Sequence, residues 1–150
     1  MRIAAIGVLS GLALSASTLV TAAMADVDSI KLRRAVMGSI ATHMGALGPV
    51  AKGEVAMHDE VPWHAGSIAR LSAHVVSLFP EGTGEGDTDA KPEIWKDWAK
   101  FEEAAANFEK AASALADAGG KKDQAALGAA MGEVGKTCGA CHDLFRKPQQ

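Results

Sequence analysis

Cys138-Gly139-Ala140-Cys141-His142 is the stretch of this chain whose residue types and spacing best fit a single piece of chemistry. Two cysteines in an exported protein usually form a disulfide. Here that bond would close a very short loop and leave the histidine unexplained. A thioredoxin-like dithiol needs a βαβ setting, and a zinc site needs further ligands at matching spacing. One chemistry uses all three side chains. Two thiols add across the vinyl groups of haem as thioethers, and the adjacent imidazole meets the iron from the same side. On a helix, sulfurs three residues apart share a face. The expectation is one covalent haem c held by Cys138 and Cys141. His142 is then the proximal iron ligand, its other ring nitrogen held by an acceptor or by solvent.

Four segments of helical period are available to position this motif. The first, from about Ser29 to Leu47, carries Ile30, Arg33, Met37, Ile40, Met44 and Leu47 at heptad spacing, and Gly48-Pro49 is read as its stop. The second, from about Pro62 to Phe79, carries Val61, His64 or Ala65, Ile68, Leu71, Val75 and Leu78. A polar loop with Gly82, Gly84 and Gly86 follows, from Pro80 to Pro92. The third begins near Glu93, carries Ile94, Trp98, Phe101, Ala105, Phe108, Ala112 and Leu115, and stops at Gly119-Gly120. The fourth begins near Asp123, an N-cap, and carries Leu127, Met131, Val134, Cys138, Cys141 and Phe145. No strand pattern occurs. The fold expected is all-α, an antiparallel up-down-up-down four-helix bundle.

Because Cys138 and Cys141 occupy seam positions, the haem belongs inside the bundle and its other face must meet another helix. The first helix offers two seam residues for that. Arg33 places a charge in a core register, which is costly unless paired; a haem propionate would pair it, and a solvated bundle end would also account for it. Met37, one turn on, covers the distal face or bonds to the iron through sulfur, unless it is ordinary core filler. Arg34 reads as solvent-facing and Met44 as core. Among the histidines, His43 and His74 read as surface residues and His58 as a loop residue. His64 borders a seam and is a rival distal ligand. Trp63, Trp95 and Trp98 read as core or partly buried.

The chain has 150 residues, room for one domain. Residues 1–25 read as a cleaved signal peptide: Arg2, an uncharged apolar run from Ile3 to Val20, then Ala23-Met24-Ala25. The cytochrome domain is then 26–150. Losing the signal removes only Arg2, so the formal net charge passes from −3 to −4. That balance excludes a nucleic-acid binder, and no stable membrane insertion is expected after cleavage.

Several stretches resemble the class II cytochromes c, the group of the cytochromes c′ and c-556. Lys31-Leu32-Arg33-Arg34-Ala35-Val36-Met37 is similar to the family's first helix. Leu78-Phe79-Pro80-Glu81-Gly82-Thr83 and Ala90-Lys91-Pro92-Glu93-Ile94-Trp95 resemble its middle loop and third-helix start, and Val134 to Arg146 its C-terminal signature. The resemblance spans the mature chain and implies the four-helix bundle, named in general treatments of that fold. It implies Cys138 and Cys141 as thioether positions, His142 as fifth ligand, Arg33 near a propionate, and Arg146 on the proximal side. It also implies Met37 as the distal residue. In c-556 members that methionine ligates a low-spin iron, whereas in c′ members an apolar residue there shields an open, high-spin iron. The segment Ala51-Lys52-Gly53-Glu54 favours the c-556 branch.

The function expected is therefore a periplasmic, non-enzymatic electron carrier with a six-coordinate His/Met haem that meets redox-protein partners transiently. The alternative is a five-coordinate haem protein binding nitric oxide or carbon monoxide. A homodimer through the first two helices is left open.

Overall fold

The computed structural model describes residues 16–148, with side chains described from 28 onward. Most of the proposed signal thus lies outside the described residues, and its last part, from Ala16, opens the first helix.

Among the described residues there are five α-helices and two short 3-10 turns. Helix α1 runs Ala16–Ala51, α2 Val61–Ser72, α3 Glu93–Lys96, α4 Trp98–Gly119 and α5 Gln124–Phe145. The 3-10 turns are His58–Glu60 and Val76–Leu78. α3 is a single turn leading into α4, so four long elements remain. α1 packs on α2, α2 on α4, α4 on α5, and α5 on α1. This closed circuit of neighbours is the expected four-helix bundle. Among the described residues the only β pairing is one isolated bridge, Ala90 with Arg146.

The seams sort as their period requires. Ile30, Arg33, Ile40 and Leu47 of α1 are buried, as are Val61, Ala65 and Ile68 of α2. Ile94, Phe101, Ala105, Phe108, Ala112 and Leu115 are buried along the third segment, and Leu127, Val134 and Phe145 along α5. Phe101 is the hub: its ring meets Phe79 at 4.8 Å, Trp98 at 5.4 Å and Phe145 at 5.5 Å. Each fully buried large side chain contributes roughly 1.5–3 kcal/mol. The Asp97 and Asp123 carboxylates accept from the amides of Lys100 and Ala126, capping α4 and α5 as short polar N-caps do.

Three boundaries differ from the sequence expectation. α1 does not stop at Gly48-Pro49 but continues to Ala51 with Pro49 inside its last turn. It ends where Gly53, at φ +72°, turns the chain; the Gly53 and Glu54 amides reach back to the carbonyls of Val50 and Pro49, a Schellman-type closure. α2 ends at Ser72, not near Phe79. Beyond it the chain tightens to i→i−3 bonds, His74 to Leu71 and Val75 to Ser72, and these still bury Val75 and Leu78. Asp97, at φ −129° and ψ 62°, breaks the third segment into α3 and α4.

Candidate haem site

The last turns of α5 carry Cys138, Cys141 and His142. Both cysteines are free thiols, half-buried against the core cluster, while His142 is exposed. The spacing of three therefore does what a helix makes it do, setting both sulfurs on the inward side of one face. Burial raises both thiols, Cys141 to about 11 with Cys138 adding to the effect. They are thus held as neutral thiols, with little of the nucleophilic thiolate at ordinary pH. Although His142 is solvent-accessible, the protein around its ring disfavours the charged form. Arg146 adds to that, against a smaller opposing pull from Asp143. A neutral imidazole is the form that ligates a metal.

Across the bundle, α1 presents Met37, half-buried and packed on the core, with Met44 two turns on in the same state. Met131 of α5 is also half-buried and packed on the core. Of the four neighbouring helix pairs, α1 and α5 touch least. The helices bearing the distal candidate and the thiols thus carry half-buried thioethers and thiols, soft side chains that adapt to a flat apolar group. This donor set fits a covalent haem.

Arg33 is 4 % exposed, and its position is unlike a frayed bundle end. Nη1 donates to the Leu78 carbonyl at 3.4 Å and to Thr83 Oγ1 at 3.0 Å. Nη2 donates to the Thr83 carbonyl at 3.0 Å and to Thr88 Oγ1 at 2.6 Å. The guanidinium also lies 4.6 Å from the centre of the Phe79 ring, a cation–π distance. Burial lowers its pKa. None of these partners is an anion, so the buried charge is solvated by the loop and a propionate would supply the missing counter-charge. Arg34 is exposed and pairs with Asp87.

Arg146 is the C-cap of α5, its amide donating to the His142 carbonyl at 3.0 Å. Its guanidinium sits 3.7 Å from Asp89 of the loop. The 80–92 loop therefore touches both ends of the candidate site. Gly84 allows this packing on α3, because a Cβ there would come within 2.8 Å of the Trp95 ring. Sequence reasoning missed Thr83 and Thr88. In a glycine-rich polar loop both look like solvent-facing residues, and the only hint was that a buried Arg33 must find acceptors somewhere.

Two readings of outlying residues change. His43 is not a plain surface residue: its Nδ1 lies 2.9 Å from Nδ1 of His64, one ring donating and the other accepting. His64 is thus engaged between α1 and α2. Trp63 is 57 % exposed, neither core nor half-buried, and stands edge-on to both histidine rings at 5.0 and 4.7 Å. Trp95 and Trp98 are half-buried as expected.

A bundle whose final helix ends in two inward thiols and a neighbouring imidazole defines a class II c-type cytochrome. The sequence matches the cytochrome C′ family over residues 28–146, and the chain belongs to that family. It is 34 % identical to cytochrome c′ of Rhodospirillum rubrum over 93 % of this chain and 95 % of that one. It is 39 % identical to cytochrome c′ of Alcaligenes xylosoxydans, covering 80 % and 94 %. A solved nitric oxide complex of a mutant of cytochrome c prime from Alcaligenes xylosoxidans superposes with a TM-score of 0.77. That match has 34 % identity and covers 83 % of this chain and 97 % of the other. The cofactor of this family is one covalent haem c. These relatives are cytochromes c′, so the leaning toward the c-556 branch, drawn from Ala51 to Glu54, is not supported.

Proposed function

We propose that this chain is an exported haem protein whose iron takes a small diatomic gas, nitric oxide or carbon monoxide, on the side facing Met37. This replaces the six-coordinate His/Met electron carrier suggested by the sequence. The observation that carries the reading is the similarity to cytochromes c′ along nearly the whole chain, a nitric oxide complex among them. Met37 is half-buried against the core, a setting that suits an apolar cover as well as a ligand.

In this reading Cys138 and Cys141 hold the haem as thioethers and His142 is the proximal ligand. Haem iron, when bound, would supply one-electron redox chemistry and a place for a diatomic ligand. The chain's own residues set the terms. Arg33 keeps a positive charge in a dry cradle beside the distal turn. Arg146 holds the end of α5 to Asp89 on the proximal side and adds to the burial that disfavours the charged form of His142. Met37 narrows the distal side and excludes water. No residue is assigned to convert a substrate, and electrons would pass to transient redox partners. A periplasmic location follows from the proposed signal; among the described residues no helix is long and apolar enough to cross a membrane.

Replacing Met37 tests the reading. In purified haem-loaded protein, Met37→Ala should leave the ferric spin state unchanged and speed carbon monoxide binding to the ferrous form. Conversion of a low-spin protein to a high-spin one by that substitution would instead establish Met37 as a ligand and overturn the proposal.

A further inference from the structure

The loop between the second and third bundle helices has one residue that bonds to both ends of the candidate site. Thr88 is 8 % exposed. Its Oγ1 accepts from Arg33 Nη2 at 2.6 Å and from the Ala90 amide at 3.1 Å. Its carbonyl accepts from Lys147 Nζ at 2.9 Å. Arg33 lies four residues before Met37, so the two share a face of α1 one turn apart. Lys147 lies five residues after His142. The flanking backbone is fastened to the same tail, Lys91 N to the Phe145 carbonyl at 2.9 Å and Lys147 N to the Asp89 carbonyl at 2.7 Å. Thr83 makes the other half of the Arg33 cradle, but its two remaining described bonds stay within the loop, from its hydroxyl and its amide to the Pro80 carbonyl.

We propose that Thr88 is a positioning residue: through it the loop holds the Arg33–Met37 turn of α1 in place and ties that turn to the chain just beyond the proximal end of α5. The physics is that of a charged donor in a dry place. A hydrogen bond from guanidinium to a hydroxyl is stronger than a neutral one. Removing the acceptor leaves a buried, charged N–H without a partner, which is unfavourable enough that the turn shifts or water enters. Either change loosens what Met37 covers. The functional half of this inference rests on the gas-binding reading; the structural half stands without it.

The test uses the full haem-loaded chain with two readouts: carbon monoxide association to the ferrous protein, and amide hydrogen exchange at residues 33–37 and 145–147. Thr88→Val should speed association about threefold to tenfold, the range expected for a coupling residue, and should quicken exchange in both segments. Thr88→Ser, which restores the hydroxyl, should return both readouts to within about twofold of the wild type. Equal disturbance by Val and Ser, or no change with Val, overturns the proposal. Quickened exchange at 33–37 alone overturns the link to the proximal end. Should Thr88→Val fail to load haem, Lys147→Met, which removes only the bond to the Thr88 carbonyl, should still quicken exchange at 33–37; unchanged exchange there contradicts the link. A wild type that binds no carbon monoxide sinks the gas-binding reading, and exchange alone then decides the role of Thr88.

Discussion

The two long sides of the bundle are built to different standards. On α2 and α4, Ala65, Ile68, Phe101, Ala105, Ala112 and Leu115 are each 4 % exposed or less. Where α1 meets α5, Met37, Met44, Met131, Cys138 and Cys141 are all only half-buried. The first side is a packed interior of branched, small and aromatic residues with defined rotamers. The second has buried branched residues too, Ile40 and Leu47 of α1 and Leu127 and Val134 of α5, and adds flexible, half-buried thioethers and thiols. The difference suits a division of labour: one face fixes the bundle, and the other, in the proposed reading, adapts to the prosthetic group and its ligand.

The largest test of this division is to remove the chemistry and keep the fold. Cys138→Ser combined with Cys141→Ser should abolish covalent haem, read as complete extraction of haem into acidified acetone, while far-ultraviolet circular dichroism stays helical. Covalent haem in the double variant would contradict the attachment sites. Next come core truncations on the two sides. Phe101→Ala should cost about 3–5 kcal/mol in urea unfolding. Met44→Ala, from the half-buried side, should cost about 1 kcal/mol by the area it buries. Similar costs at both positions would erase the comparison.

A smaller effect concerns the α1–α2 contact outside the core. Burial, His64 and Arg70 together lower the pKa of His43 below its ordinary 6.5. The unfolded chain therefore takes that proton first, and the native state loses stability as pH falls below 6.5 toward the lowered value. The melting temperature should drop between pH 7 and pH 5. His64→Gln, which removes one of the three causes, should flatten that drop; an identical slope in the variant would show that His64 does not lower the His43 pKa. Smallest of all, Arg34→Ala should change stability by less than about 1 kcal/mol in the same urea assay, because its pair with Asp87 is exposed.

How much of this was legible in the sequence depends on what carried the signal. Period 3.6 carried the seams, and it placed Ile30, Ile40, Leu47, Phe101, Leu115, Val134 and Phe145 correctly because burial on a helix is a local pattern. Pro49 misled because a proline near a helix end forfeits only one bond, here to the carbonyl of exposed Gly45, which water can satisfy. The early end of α2 left no mark, since the tighter turns after Ser72 preserve the apolar spacing. Trp63 looked like core by residue type, yet it lies beside the seam that Ala65 occupies. The Arg33 cradle was invisible because its acceptors are 45 to 55 residues away in the sequence. The thiols and the imidazole were the reverse case, with all of their chemistry written in five consecutive residues.

The adaptable side of the bundle is central to the account, and the haem absorption spectrum tests it most directly. Purified haem-loaded protein should give a high-spin ferric spectrum, and after reduction the Soret band should shift on adding carbon monoxide. A low-spin ferric spectrum with a weak methionine-to-iron band at the near-infrared edge, unchanged by carbon monoxide after reduction, would contradict it and return Met37 to the role of sixth ligand.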